Sequence, residues 1–200
     1  LEAFASPAQT DSIRMEYQHT GRLAFAFAVS EPSAGSDTMS MSTHVRTVDG
    51  VLAMNGEKLF VNNGEYAPAL LVAAIDEDAP QVGGHPALSM WMIPCSAPGI
   101  TAVPEDKIGQ EMLPFAHIQF DNVRLDESWR LSGPARGFSQ LLAFFEYGRV
   151  FACATALGLA QAAMDDAVKW AGERKAFGKS VSEFQQVQEM LTDMEVKLVN

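Results

Sequence analysis

From Arg22 to about Leu125 the chain is a succession of short apolar runs divided by turn-forming residues. Leu23–Val29 is apolar throughout, Met39–Val48 alternates loosely, and Val51–Met54 and Lys58–Val61 flank Asn55-Gly56. Asn-Gly is favoured at the centre of a two-residue hairpin turn, where both positions need positive φ, so a hairpin is expected there. Ala69–Ile75, Ala87–Ile93, Gly99–Val103 and Ala116–Phe120 follow, each bounded by Gly, Pro or acidic residues. Seven or eight strands in about a hundred residues predict a closed or sandwiched antiparallel sheet.

The period changes near Gly137. Phe138, Leu141, Leu142, Phe145, Ala152, Ala156, Leu159, Ala163, Ala167 and Trp170 fall at helical spacing. No proline interrupts Phe138 to Ala176, which allows a helix of about 35 residues. Gly178–Ser182 breaks it, and Ser180 with Glu183 or Ser182 with Gln185 offers capping-box chemistry. A second helix then carries Phe184, Val187, Leu191, Met194 and Leu198 as one stripe. Leu1 to Gly21 reads as irregular or short helix. The fold class is therefore α+β: an antiparallel β-barrel or sandwich, then long antiparallel helices of an incomplete four-helix bundle.

The composition suits a chain with a real core: 48% of residues are hydrophobic and 20% charged. Its 25 acidic residues outweigh 14 basic ones, and the net charge of −11 argues against a surface that tracks nucleic-acid phosphates. Cys95 and Cys153 form no CxxC pair, so free thiols and a reducing compartment are expected. The longest apolar run, Val150 to Ala160, is short of the roughly 20 residues of a membrane span, and no signal peptide is visible. The chain opens at Leu1 without Met and stops at Asn200 inside a periodic pattern, so a portion of a longer protein is expected.

His19, His44, His85 and His117 share no metal-ligand spacing with each other or with the cysteines, and no P-loop, HExxH or GxSxG is present. Three segments carry candidate chemistry. Phe27–Asp37 (FAVSEPSAGSD) reads as a strand entering a loop whose amides and hydroxyls could face a polar ligand, or as an ordinary turn. Gly56–Gly64 (GEKLFVNNG) could offer the Phe60 ring and Asn62 amide to a planar heterocycle, or simply run into a turn. Arg174–Gly178 with Gln185 could serve a pyrophosphate and an adenine, although a cation at a helix C-terminus explains Arg174 equally well.

Taken together and in this order, SEPSAGSD, GEKLFVNNG and ERKAFGKSVSEFQ closely resemble the acyl-CoA dehydrogenase family. PGI at Pro98–Ile100, FDNVRL at Phe120–Leu125 and Gly137-Phe138 extend the resemblance from about Leu23 to Asn200. It implies the end of an N-terminal helical region at 1–21, a middle β-barrel domain at 22–130, and the first two helices of a C-terminal bundle at 131–200. It also implies bound FAD, an acyl-CoA substrate oxidised to the 2,3-enoyl thioester in β-oxidation, electron-transfer flavoprotein as acceptor, and a homodimer or homotetramer. The expected location is the bacterial cytoplasm, or failing that the mitochondrial matrix.

By motif position, the resemblance puts Phe27, Val29, Ser30 and Ser36 against the flavin, Ser36 also reaching the thioester end of the substrate. Phe60, Val61 and Asn62 would lie along the isoalloxazine, with Phe60 in place of a frequent Trp and Asn62 in place of a Ser or Thr. Arg174, Phe177 and Gln185 would reach the FAD of a neighbouring subunit. Glu146 and Arg149 resemble the contacts to the CoA arm; read from spacing alone they are an i,i+3 ion pair. Most family members carry the catalytic Glu far along the C-terminal domain, so the base is expected beyond Asn200. A minority carry it just before the Arg matched by Arg149, where this chain has Gly148. Tyr66-Ala-Pro68 and Trp91 also resemble the crotonobetainyl-CoA reductase branch. Two further readings stay open: an acyl-CoA or nitroalkane oxidase of the same fold, and a non-catalytic CoA-binding module that kept it.

Overall fold

A computed structural model describes residues 4–21, 25–131 and 136–199. The start of the Leu23–Val29 run, most of the Leu131–Gly137 junction and Asn200 lie outside them. The chain divides into two compact units, one reaching Leu142 and the other starting at Ala143.

The first unit opens with helix α1, Pro7–Thr20. Ser6 and Gln9 cap it reciprocally, Pro7 occupies the first turn where its missing N–H costs nothing, and Gly21 ends it at φ 64°. Gln9 is buried and also donates through Nε2 to the carbonyls of Ser128 (2.7 Å) and Arg130 (3.1 Å), which ties α1 to the far end of the unit.

Seven strands follow: β1 (Ala26–Ala28), β2 (His44–Val48), β3 (Val51–Asn62), β4 (Ala69–Asp76), β5 (Leu88–Pro94), β6 (Ile100–Glu105) and β7 (Phe115–Arg124). They form one mixed sheet in the order β1-β4-β2-β3-β7-β6, with β5 on β4. The closed antiparallel barrel expected from the pattern is not formed. β1 and β2 both run parallel to β4, at Leu70–Val72 and Ile75–Asp76, and no ladder joins β5 to β6 among the described residues. Strand spacing alone carries no information about parallel pairing, which needs a long return connection.

β4 is the centre of this sheet. Leu70, Leu71, Val72, Ala73 and Ala74 are all fully buried, so both faces are covered and the strand reads as a continuous apolar run. One face joins a core of Val45, Met54, Val61, Trp91, Ile93, Ile118 and Val123. The Trp91 indole donates to Ser89 Oγ (2.8 Å), and the Arg130 guanidinium lies over its ring at 4.2 Å. Arg130 in turn pairs with Asp76 and Glu127. Burial pulls the Arg130 pKa down, but the hydrogen bonds to Glu127 and Asp76 outweigh it and raise an already high value further. Trp91 is therefore a core residue held under a paired cation.

Asn55-Gly56 is not a turn. It lies inside β3, opposite a bulge in which β7 carries one extra residue, and Asn55 Oδ1 accepts the Asn122 amide there (2.9 Å). Gly56 sits at φ 137° with its Cα beside Thr43, where a Cβ would fall 2.6 Å from Thr43 backbone. The β2–β3 hairpin turns instead at Asp49-Gly50, both at positive φ (52° and 79°), the two-residue geometry in its Asp-Gly form.

Helix α2 runs from Gly137 to Glu173, 37 residues. Its first turns belong to the sheet unit: Leu141 is buried, Gln140 Nε2 donates to Leu131 O (3.0 Å), and a Cβ on Gly137 would meet Leu88 O at 2.4 Å. The remainder is in the second unit with the two-residue strands β8 (Lys175–Ala176) and β9 (Lys179–Ser180) and helix α3, Gln185–Val199. α3 returns alongside α2, so that Cys153, Ala156, Ala160 and Ala163 share an apolar groove with Met194 and Leu198. By length and composition α2 meets what a membrane span needs, with an 18-residue window of mean hydropathy 1.3. Both cysteines are free, and burial pushes the Cys95 thiol up to about 11.

Gly56→Ala is expected to cost about 1–3 kcal/mol, from backbone strain and the clash with Thr43. Denaturant unfolding of the variant against the parent chain checks it.

Candidate functional site

The strand-to-loop segment from Phe27 and the GEKLFVNNG segment lie side by side. Ser30 O accepts the Leu59 amide at 2.8 Å, which stitches the loop after β1 to the end of β3. Phe27 is half-buried in β1, Val29 is buried, Ser30 is half-buried, and Ser36 is exposed in the following loop. Along β3, Phe60 and Asn62 are exposed, whereas the Val61 side chain points into the core at 1% exposure.

This alternation is disturbed by a second bulge. Lys58 pairs with Ile118 and Val61 with Ala116, so three steps on β3 oppose two on β7. The extra residue lets both Lys58 and Val61 point inward, and Phe60 takes φ 56° and faces out. Its amide donates to Glu105 at 3.4 Å and its ring leans on Phe115 with centroids 6.2 Å apart. A bulky residue in the left-handed region costs about 1–2 kcal/mol.

Beneath these groups lies an ion pair that sequence reasoning missed, although both members fall inside the motifs that carry the family resemblance. Lys58 Nζ and Glu31 Oε1 are 2.7 Å apart, and both side chains are wholly buried. Lys58 also donates to Val29 O (3.1 Å) and Met41 Sδ (3.8 Å). Glu31 accepts from Ser42 N, Ser42 Oγ (2.7 Å) and Thr43 N (3.0 Å). Burial pushes the Glu31 carboxyl up, but the Lys58 ammonium and the Ser42 and Thr43 donors outweigh it and leave the pKa at about 2. Burial pulls Lys58 below its ordinary value, with Glu31 opposing. A single Lys in an alternating strand looks like a solvated charge; its signal was an acidic residue in the neighbouring motif.

The helical unit holds the other candidates. The β8–β9 hairpin turns at Phe177-Gly178, again with both residues at positive φ (52° and 81°), and the Phe177 ring is 96% exposed. Its edge meets Phe184 at 6.2 Å, and Lys179 Nζ lies 4.4 Å from the Phe184 centroid. Ser180 fixes this hairpin to α2 by donating to Ala171 O (2.7 Å), and its amide donates to Glu183 (3.1 Å), the capping box. Arg174 is exposed and its side chain makes no ion pair among the described residues; Gln185, also exposed, opens α3. Glu146 and Arg149 are both exposed on α2 and are not ion-paired with each other. Among the described residues no three His, Cys, Asp or Glu side chains gather in a way that could hold a metal.

Residues 26–123 match the family model of the acyl-CoA dehydrogenase middle domain, and residues 135–200 that of the acyl-CoA dehydrogenase C-terminal domain. The chain belongs to the acyl-CoA dehydrogenase family. An acyl-CoA dehydrogenase from Slackia heliotrinireducens is 58% identical with a TM-score of 0.82, the match covering 98% of this chain and 49% of that one. Glutaryl-coenzyme A dehydrogenase in its glutaryl-CoA complex is 29% identical, TM-score 0.89, with 98% and 49% covered. Butyryl-CoA dehydrogenase from Megasphaera elsdenii is 29% identical, TM-score 0.89, with 98% and 51% covered. The chain thus spans about half the length of these structures.

The depressed Glu31 pKa sets a pH window. A carboxyl whose folded pKa lies below its ordinary 4.5 adds stability above that value and loses it as the pH falls towards about 2. The stability of the parent chain relative to Glu31→Gln/Lys58→Met is expected to fall as the pH drops across that interval, as thermal unfolding at stepped pH would report.

Proposed function

We propose that this chain is the flavin- and acyl-CoA-binding portion of an FAD-dependent acyl-CoA dehydrogenase, which oxidises an acyl-CoA thioester between Cα and Cβ. One observation carries the reading. The two aromatic residues held in left-handed backbone, Phe60 and Phe177, are exposed, and both are positions that the family resemblance puts against the cofactor. Strain of this kind concentrates where a side chain is held ready for a ligand.

The donor set suits FAD. In the sheet unit, a ring at Phe60, hydroxyls at Ser30 and Ser36 and an amide at Asn62 match a planar heterocycle with a polar edge. Val61 would contribute backbone rather than side chain. In the helical unit, the exposed Arg174 guanidinium can fork onto a pyrophosphate, with Phe177 and Gln185 close in sequence. When bound, FAD supplies the acceptor for the hydride leaving the β carbon. The chain's own residues bind and orient: Phe27 and Val29 border the ring-facing segment, and Glu146 and Arg149 are available to the CoA arm. Gly148 offers no carboxylate beside Arg149, so the proton acceptor is assigned to the remaining half of the protein.

The glutaryl-CoA complex of a 29% identical relative supports an acyl-CoA substrate. Transfer of electrons to an electron-transfer flavoprotein, a homodimer or homotetramer in which Arg174, Phe177 and Gln185 serve a neighbour's FAD, and a cytoplasmic location complete the proposal. The apolar groove between α2 and α3 is assigned to further helices of the C-terminal domain.

The full-length protein is expected to be yellow and to bleach anaerobically with a suitable acyl-CoA, and a panel of chain lengths identifies the substrate. Failure to take up added FAD overturns the reading, and peroxide formation in air without an electron-transfer flavoprotein favours the oxidase instead. Arg174→Ala is expected to weaken FAD retention by about tenfold or more, the loss of one charge-assisted contact, measured by flavin fluorescence on dilution.

A further inference from the structure

The Lys58–Glu31 pair is more elaborate than stability requires. A buried ion pair often adds little over a well-packed apolar pair of similar volume, and its clearest use is to select one register among several. Here the choice of register matters at one place. β3 carries its extra residue between Lys58 and Val61, and a one-residue slip in that interval would exchange inward and outward positions. Phe60 and Val61 would then change places, burying the ring and exposing the valine.

Nothing in the apolar pattern forbids that slip, since Leu59, Phe60 and Val61 are all hydrophobic. Lys58 forbids it. Its ammonium finds three acceptors, Glu31 Oε1, Val29 O and Met41 Sδ, only from its present inward position. Glu31 is itself immobilised by Ser42 N, Ser42 Oγ and Thr43 N, so the anchor does not drift with the loop. Thr43 is pinned further, donating from Oγ1 to Glu57 O at 3.1 Å and accepting the Ile75 amide at 2.9 Å. The same ammonium holds Val29 O on one side of Ser30, while the Leu59 amide holds Ser30 O.

We propose that Lys58 and Glu31 are positioning residues. They fix the phase of the β3 bulge, and so set Phe60 and Asn62 outward and in fixed relation to Ser30. The flavin consequence rests on the function proposed above; the register consequence does not.

The test uses the full-length protein and the double variant Glu31→Gln/Lys58→Met, which removes both charges at similar volume and leaves no buried ion unpaired. Two readouts are taken. Hydrogen exchange of the Leu59 and Thr43 amides in the flavin-free protein is expected to speed up by about tenfold or more while far-UV circular dichroism stays native. The FAD dissociation constant is expected to rise about tenfold or more, with altered resolution of the flavin visible bands, because sub-ångström displacement of contacts is costly. Lys58→Met alone, which strands Glu31, should be worse in both. A double variant with parent-like exchange, and FAD affinity and spectrum unchanged to within about twofold, overturns the proposal. A parent protein that takes up no FAD overturns the flavin reading instead, and the exchange comparison still decides the register claim.

Discussion

Two opposite charges, 2.7 Å apart and sealed from water, are the constraint around which the sheet unit is arranged. Either charge alone in that interior would cost several kcal/mol, so each must find every partner its chemistry asks for. Lys58 reaches one carboxylate, one carbonyl and one thioether; Glu31 answers with two amides, a hydroxyl and the ammonium. The demand is geometric. It brings the loop after β1, the residues leading into β2 and the middle of β3 to one point. What the outer surface presents, including a phenylalanine in an unfavourable backbone region, follows from what is satisfied underneath.

The same rule recurs at the joints of the molecule. Gln9 caps its own helix and closes two carbonyls more than a hundred residues away. Asn55 supplies the acceptor for the Asn122 amide at the β7 bulge. Ser180 answers the last carbonyls of α2. Arg130 seals Trp91 by lying over its face while two carboxylates neutralise it. At Gln9, Asn55 and Ser180 a polar side chain replaces a ladder or helix partner that irregular backbone has lost.

The elements are legible in the sequence where period and length agree: the long helix from Gly137, the capping box at Ser180 and Glu183, and the core strands at Ala69–Asp76 and Leu88–Pro94. The family is legible from three motifs in order. Where pattern and structure part, the cause is shared. Asn55-Gly56 has the composition of a turn, but that glycine is required by the closeness of Thr43, a contact no local pattern encodes. Asp49-Gly50, the real turn, has the weaker composition of the two. The parallel pairings of β1 and β2 depend on where β4 lies, and strand spacing is blind to that. At the candidate site the motifs name rings, hydroxyls and amides without saying which of them face outward. Val61 is not separable from Phe60 by sequence, because the bulge that divides them is set by Lys58, which looks like an ordinary surface cation.

The parallel placement of β1 has a kinetic side. Ala26–Ala28 can only pair once Leu70–Val72 exists, and its loop can only lock once Lys58 is in register, so this short strand closes a loop of more than forty residues for few hydrogen bonds. Such long closures come late, after the local hairpins of β2–β3, β4–β5 and β6–β7 have repaid some of their entropy. The segment from β1 to Glu31 is therefore expected to be the last part of the sheet to settle.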